Sequence, residues 1–134
     1  MRWSFESQDA NGAYGARSDL VAYLESRANH DSDVPAAALI FGELVGNVVR
    51  HAPGPISIHV HWENGFAVLT VRDQGPGFEW SGRRQLPDVL AESGRGLYIV
   101  QTVARSLKVR RLPHRGTEAV VLLPVSLRPA AQRA

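Results

Sequence analysis

The 134-residue chain contains no cysteine, and this absence excludes several chemistries at once. Disulfides, zinc–thiolate sites, iron–sulfur clusters and thiol catalysis all require cysteine. The chain also has no apolar run close to the roughly 20 residues that a membrane-spanning helix needs. Its first residues, Met1–Glu6, lack the apolar stretch of a signal peptide. We therefore expect a cytoplasmic protein with no membrane partner.

The charge balance of the chain is close to neutral. The net charge is +2, and Lys108 is the only lysine, so the other basic residues are arginines. Such a mildly basic chain is weak evidence for nucleic-acid binding, and we expect no direct contact with nucleic acid. The short basic run from Lys108 to Arg115 is typical of a solvated strand face.

The rest of the composition fits one folded domain. Hydrophobic residues make up 44% of the chain and charged residues 21%, as in ordinary globular proteins. A chain of this length buries enough surface to form a core without crosslinks. We expect a single domain over residues 1–127 and a frayed tail over residues 128–134.

Hydrophobic periodicity and turn signals predict the order strand, helix, helix, hairpin, loop, helix, hairpin. Ser18 is a good N-cap for the first helix, and Asn64-Gly65 favours a two-residue hairpin turn. The strands are expected at 2–7, 56–62, 66–73, 108–112 and 117–123, and the helices at 18–28, 33–52 and 94–107. This order predicts an α+β protein, a two-layer α/β sandwich whose mixed, mostly antiparallel sheet is covered on one face by helices.

The second helix carries the first candidate site residues. Glu43 and Asn47 lie one turn apart on one side of this helix, with the small Gly46 between them, where a ligand could approach the helix surface. Alone, such a pair is typical of a solvated helix face. The apolar side, which should face the sheet, consists of Phe41, Leu44, Val45, Val48 and Val49.

Two glycine-rich segments and a Gly-Thr pair supply the other candidates. Asp73 ends a predicted strand and begins the segment Asp73-x-Gly75-x-Gly77, and its ionised carboxylate can accept a hydrogen bond from an amino group such as that of adenine. Gly94-Arg95-Gly96-Leu97 opens a predicted helix, where free N–H groups and the helix dipole favour a phosphate. Gly116-Thr117 opens the last strand. Each segment alone is common in turns.

Together and in this order, the four segments resemble the motifs of the GHKL ATPase superfamily, whose members share the Bergerat ATP-binding fold. Glu43-x-x-x-Asn47 resembles the N-box of that superfamily, and Gly116-Thr117 its terminal Gly-Thr pair. The segments that begin at Asp73 and Gly94 resemble its first and second glycine boxes. The resemblance covers about residues 12–124 and implies a Bergerat-type fold with ATP and Mg²⁺ as cofactors.

The resemblance implies a role for each matched residue. Asn47 would coordinate Mg²⁺, and Glu43 would act as general base on a substrate hydroxyl. Asp73 would bind the adenine amino group, with Thr117 beside it. The glycine boxes would border the base and hold the phosphates through backbone N–H groups; they contribute Gly75, Gly77, Gly94, Arg95, Gly96 and Leu97.

Within the superfamily, the chain most resembles the anti-sigma factor serine/threonine kinases. The stretch 43–52 ends in His-Ala as in those kinases, the segment between the glycine boxes is short, and no phospho-accepting helix is expected. The resemblance implies a kinase that sequesters a sigma factor and phosphorylates a STAS-domain anti-sigma factor antagonist. The sequence does not fix the oligomeric state, and a homodimer is one option.

Two other functions stay open. The same motifs serve an ATP-dependent binding module that switches a partner without phosphoryl transfer, and a stand-alone histidine-kinase-like ATPase domain. Retention of Glu43 favours the enzyme. The sequence does not decide whether Arg83 and Arg84 reach the γ-phosphate, or whether His51 borders the nucleotide or caps its helix. His59 and His61 share a strand face, but no third metal ligand lies nearby in sequence.

Overall fold

The computed structural model describes residues 1–51, 54–74, 99–113 and 115–129. Residues 99–103 within these ranges form a short helical segment. The named elements, in chain order, are β1 (Arg2–Glu6), α1 (Ala10–Arg27), α2 (Val34–His51), β2 (Pro55–Glu63), β3 (Phe66–Asp73), β4 (Ser106–Arg111) and β5 (Thr117–Ser126). The order strand, helix, helix, hairpin and final hairpin agrees with the sequence-based expectation, whose loop over 79–93 lies outside the described residues.

The strands form one sheet in the order β1-β2-β3-β5-β4, and α1 and α2 pack on one of its faces. This confirms the two-layer α/β sandwich. Every pairing among the described strands is antiparallel. The β2–β3 hairpin turns at Asn64 and Gly65, both with positive φ (52° and 82°), as a type I′ turn requires.

The core lies between α1, α2 and the helix-facing side of the sheet. Alternation along β2 sends Ile56, Ile58 and Val60 into this layer, each at most 1% exposed. Phe41 of α2 and Leu20 of α1 fill it from the helix side. Burial of each such side chain contributes about 1.5–3 kcal/mol, so this layer supplies the main force that holds the helices on the sheet.

Helix α2 is buried over a wider arc than its apolar residues predict. Asn47, expected on the solvent-facing polar side, is 1% exposed, whereas Val49, expected against the sheet, is 45% exposed. The buried positions cover about half of the helical wheel, with Asn47 at one edge and Val49 just beyond the other. Helix α2 packs against both α1 and the sheet, so its buried arc is wider than the side that its apolar residues alone define.

Two further element boundaries differ from the expectation. Helix α1 begins two turns before Ser18, because the carboxylate of Asp9 caps it by accepting a hydrogen bond from the Gly12 backbone N–H at 2.9 Å. Leu107, expected at the end of a third helix, lies in β4, where it pairs with Val121 of β5. Pairing with a buried central strand outweighs the helical pattern of the preceding residues.

Candidate functional site

One end of the sheet brings Asp73 and Thr117 together. Arg72 pairs directly with Glu118 in the β3–β5 register, so the next residues along both strands, Asp73 and Thr117, stand side by side. Side chains alternate across a sheet, which places this second pair on the helix-facing side. Asp73 is 1% exposed and Thr117 is 3% exposed. A carboxylate and a hydroxyl therefore share a buried position at the edge of the core.

Gly116 makes this approach of the two strands possible. Its φ is +104°, and a Cβ atom placed on it would lie 2.0 Å from the carbonyl oxygen of Asp73. Only glycine has both the conformational freedom and the space for this position. The sequence suggested a turn here, and the structure adds the specific reason: the backbone beside Gly116 passes against the backbone of Asp73.

The hydroxyl of Thr117 is available for a further hydrogen bond. Its Oγ1 atom is buried and has no hydrogen-bond partner among the described residues. A buried polar atom without a partner costs about 1–3 kcal/mol, and a ligand or an ordered water can remove that cost. This atom, next to a buried carboxylate, fits the expected role of the pair in holding a base that carries an amino group.

Asn47 and Glu43 lie on the helix that covers this end of the fold. Helix α2 contacts both β3 and β5, the strands that carry Asp73 and Thr117. Asn47 is buried, and Glu43, one turn earlier, is half-buried. A buried carboxamide in an apolar layer is uncommon unless it makes polar contacts. Its oxygen is a type of ligand that Mg²⁺ accepts. The burial of Asn47 corrects its expected exposure and fits a ligand-holding role.

The other predicted site residues lie outside the described residues. These are Gly75, Gly77, Arg83, Arg84, Gly94, Arg95, Gly96 and Leu97. The roles expected of the two glycine boxes and of the two arginines therefore stay predictions, as does the role of His51.

An ion cluster behind the site was missed by the sequence analysis. The carboxylate of Glu118 accepts hydrogen bonds from the Nε atoms of Arg110, at 2.8 Å, and Arg72. The hydrogen bond from Arg110 lowers the pKa of Glu118 most, burial opposes it, and Arg72 lowers it further. The sequence contained one signal for this cluster, namely the acidic Glu118 in a mostly apolar strand. Its partner Arg72 lies far away in sequence, and its partner Arg110 lies in the basic run that was expected to form a solvated face.

His59 and His61 lie next to each other on one face of strand β2. The rings of His59 and His61 stack with centroids 5.3 Å apart, on the face of the sheet away from the helices. Across the described ranges, no group of three or more histidine, aspartate or glutamate side chains could hold a metal ion.

Helix α2 packs against an antiparallel sheet, one end of which carries the buried polar pair Asp73 and Thr117. The sequence model of the histidine kinase-like ATPase domain matches residues 6–123. The chain therefore belongs to the histidine kinase-like ATPase domain family. This confirms the assignment to the GHKL superfamily. The family match does not distinguish the anti-sigma factor kinases from other members.

Solved structures of histidine kinases share the fold. Full-length ShkA in complex with AMPPNP is 20% identical with a TM-score of 0.61, and the match covers 94% of this chain and 32% of ShkA. The histidine kinase AdeS of Acinetobacter baumannii is 12% identical with a TM-score of 0.53, covering 96% of this chain and 68% of AdeS. The histidine kinase domain of the E. coli osmosensor EnvZ is 16% identical with a TM-score of 0.50, and the match covers 96% of this chain and 91% of the EnvZ domain.

The chain spans about a third of the length of ShkA, so the similarity concerns one part of that protein. No curated protein matches the chain. Within the described part of the chain, none of the helices combines the length and the apolar character that crossing a bilayer demands.

Proposed function

We propose that this chain is an ATP-dependent serine/threonine protein kinase of the anti-sigma factor type. It would sequester a sigma factor or a similar partner and phosphorylate a STAS-domain antagonist of that interaction. The observation that carries nucleotide binding is the buried pair Asp73 and Thr117, held together by the close approach at Gly116. The observation that favours phosphoryl transfer is Glu43, one turn from the buried Asn47.

The base would be recognised by Asp73. An ionised carboxylate only accepts hydrogen bonds, so it can bind the amino group of adenine and would repel the carbonyl oxygen that guanine presents at the same place. Thr117 Oγ1, buried beside it, can donate to the base or to a bridging water. This arrangement supports ATP over GTP.

The carboxamide oxygen of Asn47 would hold Mg²⁺, which when bound neutralises charge on the phosphates. The position of Asn47 at the edge of the buried arc of α2 supports this role, because the side chain is fixed by packing. No second metal-binding side chain is required of this chain, since phosphate oxygens and water are the usual remaining ligands of Mg²⁺.

Glu43 would take the proton from the attacking hydroxyl of the substrate. It is half-buried, so a protein substrate can reach it from solvent. A positioned general base contributes about 10²–10⁴-fold to the rate of such a step. The proton moves to the Glu43 carboxylate as the hydroxyl oxygen bonds to the γ-phosphorus and the bond to the β,γ-bridging oxygen of ATP breaks.

A stand-alone histidine-kinase-like ATPase domain is the second candidate, since the structural neighbours above are histidine kinases. The ATP-dependent switch without phosphoryl transfer is the third. The three differ in product: a phosphoserine or phosphothreonine survives acid, a phosphohistidine does not, and a switch yields neither.

The test is transfer from radiolabelled ATP with Mg²⁺ to STAS-domain proteins encoded near this gene, followed by acid treatment. Glu43→Gln should lower acid-stable transfer by about 10²–10⁴-fold while ATP binding and pull-down of the sequestered partner persist. Glu25→Gln, at an exposed position of α1, is the matched control, and this variant should transfer the phosphoryl group at the normal rate. Acid-labile product would support the histidine-kinase alternative, and no transfer by the unmodified protein to any such partner would support the switch.

A further inference from the structure

The face of the sheet opposite to α1 and α2 carries a grid of side chains whose positions are fixed by the cross-strand register. Its three rows are Ser4–Ser57–Arg72–Glu118–Arg110, Arg2–His59–Thr70–Val120–Lys108 and His61–Val68–Leu122–Ser106. The part of the first two rows on β1, β2 and β3 consists only of side chains able to donate hydrogen bonds. We call these six residues the donor patch: Arg2, Ser4, Ser57, His59, Thr70 and Arg72.

The donor patch is concave. All six residues line one surface cavity of about 430 Å³, on the opposite side of the sheet from Asp73 and Thr117. Among the described residues that line this cavity, Glu118 is the only one with a carboxylate. Its charge is already shared between two guanidinium groups, so it does not neutralise the remaining cations.

The guanidinium of Arg72 is oriented by that carboxylate. Glu118 accepts the Nε–H of Arg72 on one oxygen and the Nε–H of Arg110 on the other. Among the described residues, the terminal nitrogens of Arg72 make no hydrogen bond. The side chain is 53% exposed, so these nitrogens are held in a fixed plane and are open to a ligand. A planar guanidinium fork of this kind suits an oxyanion.

At the other end of the patch, no described acidic residue pairs with Arg2 across the strands. Arg2 stands opposite His59 rather than opposite an acid, and the N-terminal ammonium group lies beside them, bonded to the Val60 carbonyl oxygen at 2.9 Å. Burial, and then the charges of Arg2, His61 and the N-terminus, lower the pKa of His59. Opposite charges placed across neighbouring strands stabilise a sheet, so a bound anion would offset the positive charge that gathers here.

We propose that the donor patch is a second ligand site, which binds a phosphate group on the face of the sheet opposite to the nucleotide side. The two guanidinium groups match the charge of a phosphate, and the three hydroxyls of Ser4, Ser57 and Thr70 can donate to its oxygens. The source is either a free phosphate compound or a phosphorylated residue of another protein. The site is independent of the proposed kinase activity.

The test is the titration of the His59 imidazole by NMR in the purified protein with inorganic phosphate. Bound phosphate should raise the pKa of His59 in a saturable manner, because it supplies the missing negative charge. Arg2→Gln should weaken phosphate binding about tenfold or more, and Ser57→Ala should weaken it by a few-fold. Lys108→Gln removes one charge from the same row outside the cavity, and it should leave binding within about twofold.

Two comparisons separate the sources and the sites. A phosphoserine peptide that binds at least tenfold more tightly than inorganic phosphate would assign the site to a phosphorylated protein; equal binding would assign it to small phosphate compounds. The titrations are repeated with saturating AMPPNP. The proposal is overturned if His59 does not respond to phosphate, if Lys108→Gln weakens binding as much as Arg2→Gln, or if AMPPNP removes the response.

Discussion

Substitution of Gly116 by alanine tests the link between the strand geometry and nucleotide binding. The alanine Cβ would lie 2.0 Å from the carbonyl oxygen of Asp73, about 1 Å inside the shortest approach that carbon and oxygen tolerate. The backbone of Asp73, of Gly116 or of both must therefore move by about that distance. The φ of +104° adds strain of its own, of the order of 1–3 kcal/mol for a residue with a side chain.

The two costs affect different measurements. The strain and the displaced packing together should lower the free energy of unfolding by about 2–4 kcal/mol, a fall in Tm of roughly 6–16 °C for a domain of this size. The displacement of Asp73 should weaken ATP binding by about tenfold to a hundredfold, because the hydrogen bond from adenine depends on the position of the carboxylate. Thermal denaturation followed by circular dichroism measures the first, and calorimetric titration well below the Tm measures the second.

Gly65→Ala is the matched control. Gly65 also has a positive φ, +82°, but no heavy atom lies within 4 Å of its hypothetical Cβ. This variant should lose only about 1–2 kcal/mol through strain and should bind ATP like the unmodified protein. If Gly116→Ala melted and bound ATP like Gly65→Ala, the close approach to Asp73 would not be what holds the site together.

The remaining predictions concern the polar side chains around the site. Asp73→Ala should weaken ATP binding by about tenfold to a hundredfold in calorimetric titration; equal competition by GTP in the unmodified protein would contradict the adenine assignment. Asn47→Asp keeps the shape and supplies a Mg²⁺ ligand, so Mg²⁺-dependent ATP binding should survive better than in Asn47→Leu; equal losses would argue for a packing role. Glu118→Gln should destabilise the fold by about 1–3 kcal/mol at pH 7, as measured by urea denaturation. Because the folded-state pKa of Glu118 is below its ordinary 4.5, its ionic contribution is complete above that value and is lost as the pH falls through the folded-state pKa. The stability difference from the unmodified protein should therefore narrow below about pH 4, and a constant difference would exclude the ion cluster as its cause.

The sequence predicts those parts of the fold that depend on neighbours in the chain. The β2–β3 hairpin is confirmed because alternation in the strands and Asn64-Gly65 at the turn are local features. Helix α2 is confirmed because Asp33 caps its first turn, where its carboxylate accepts the N–H of Ala36 at 3.0 Å. The predicted start of α1 at Ser18 was wrong. Gly12 and Gly15 weaken the helical sequence pattern before Ser18, but Asp9 nevertheless caps a helix that begins at Ala10.

The features that the sequence does not predict all arise between distant segments. Asn47 is 1% exposed although the helical wheel of α2 places it on the polar side, because burial depends on which elements pack against the helix, and the wheel contains no information about them. The Glu118 cluster joins side chains from three strands, and strand order is not encoded in any one of them. The motif at Gly116 could be recognised in the sequence, but the reason for it, a contact with Asp73, needs the register of β3 against β5.

The alternation of side chains connects the two faces of the sheet at one point. Arg72 and Glu118 pair on the open face, and the next residues, Asp73 and Thr117, form the buried pair on the helix-facing side. A slip of one residue between β3 and β5 would reverse the faces of the slipped strand and separate both pairs together. The ion cluster opposes that slip, because in the slipped register the buried carboxylate of Glu118 would lose its arginine partners. The cluster therefore stabilises, from behind the sheet, the register on which the proposed adenine contact depends.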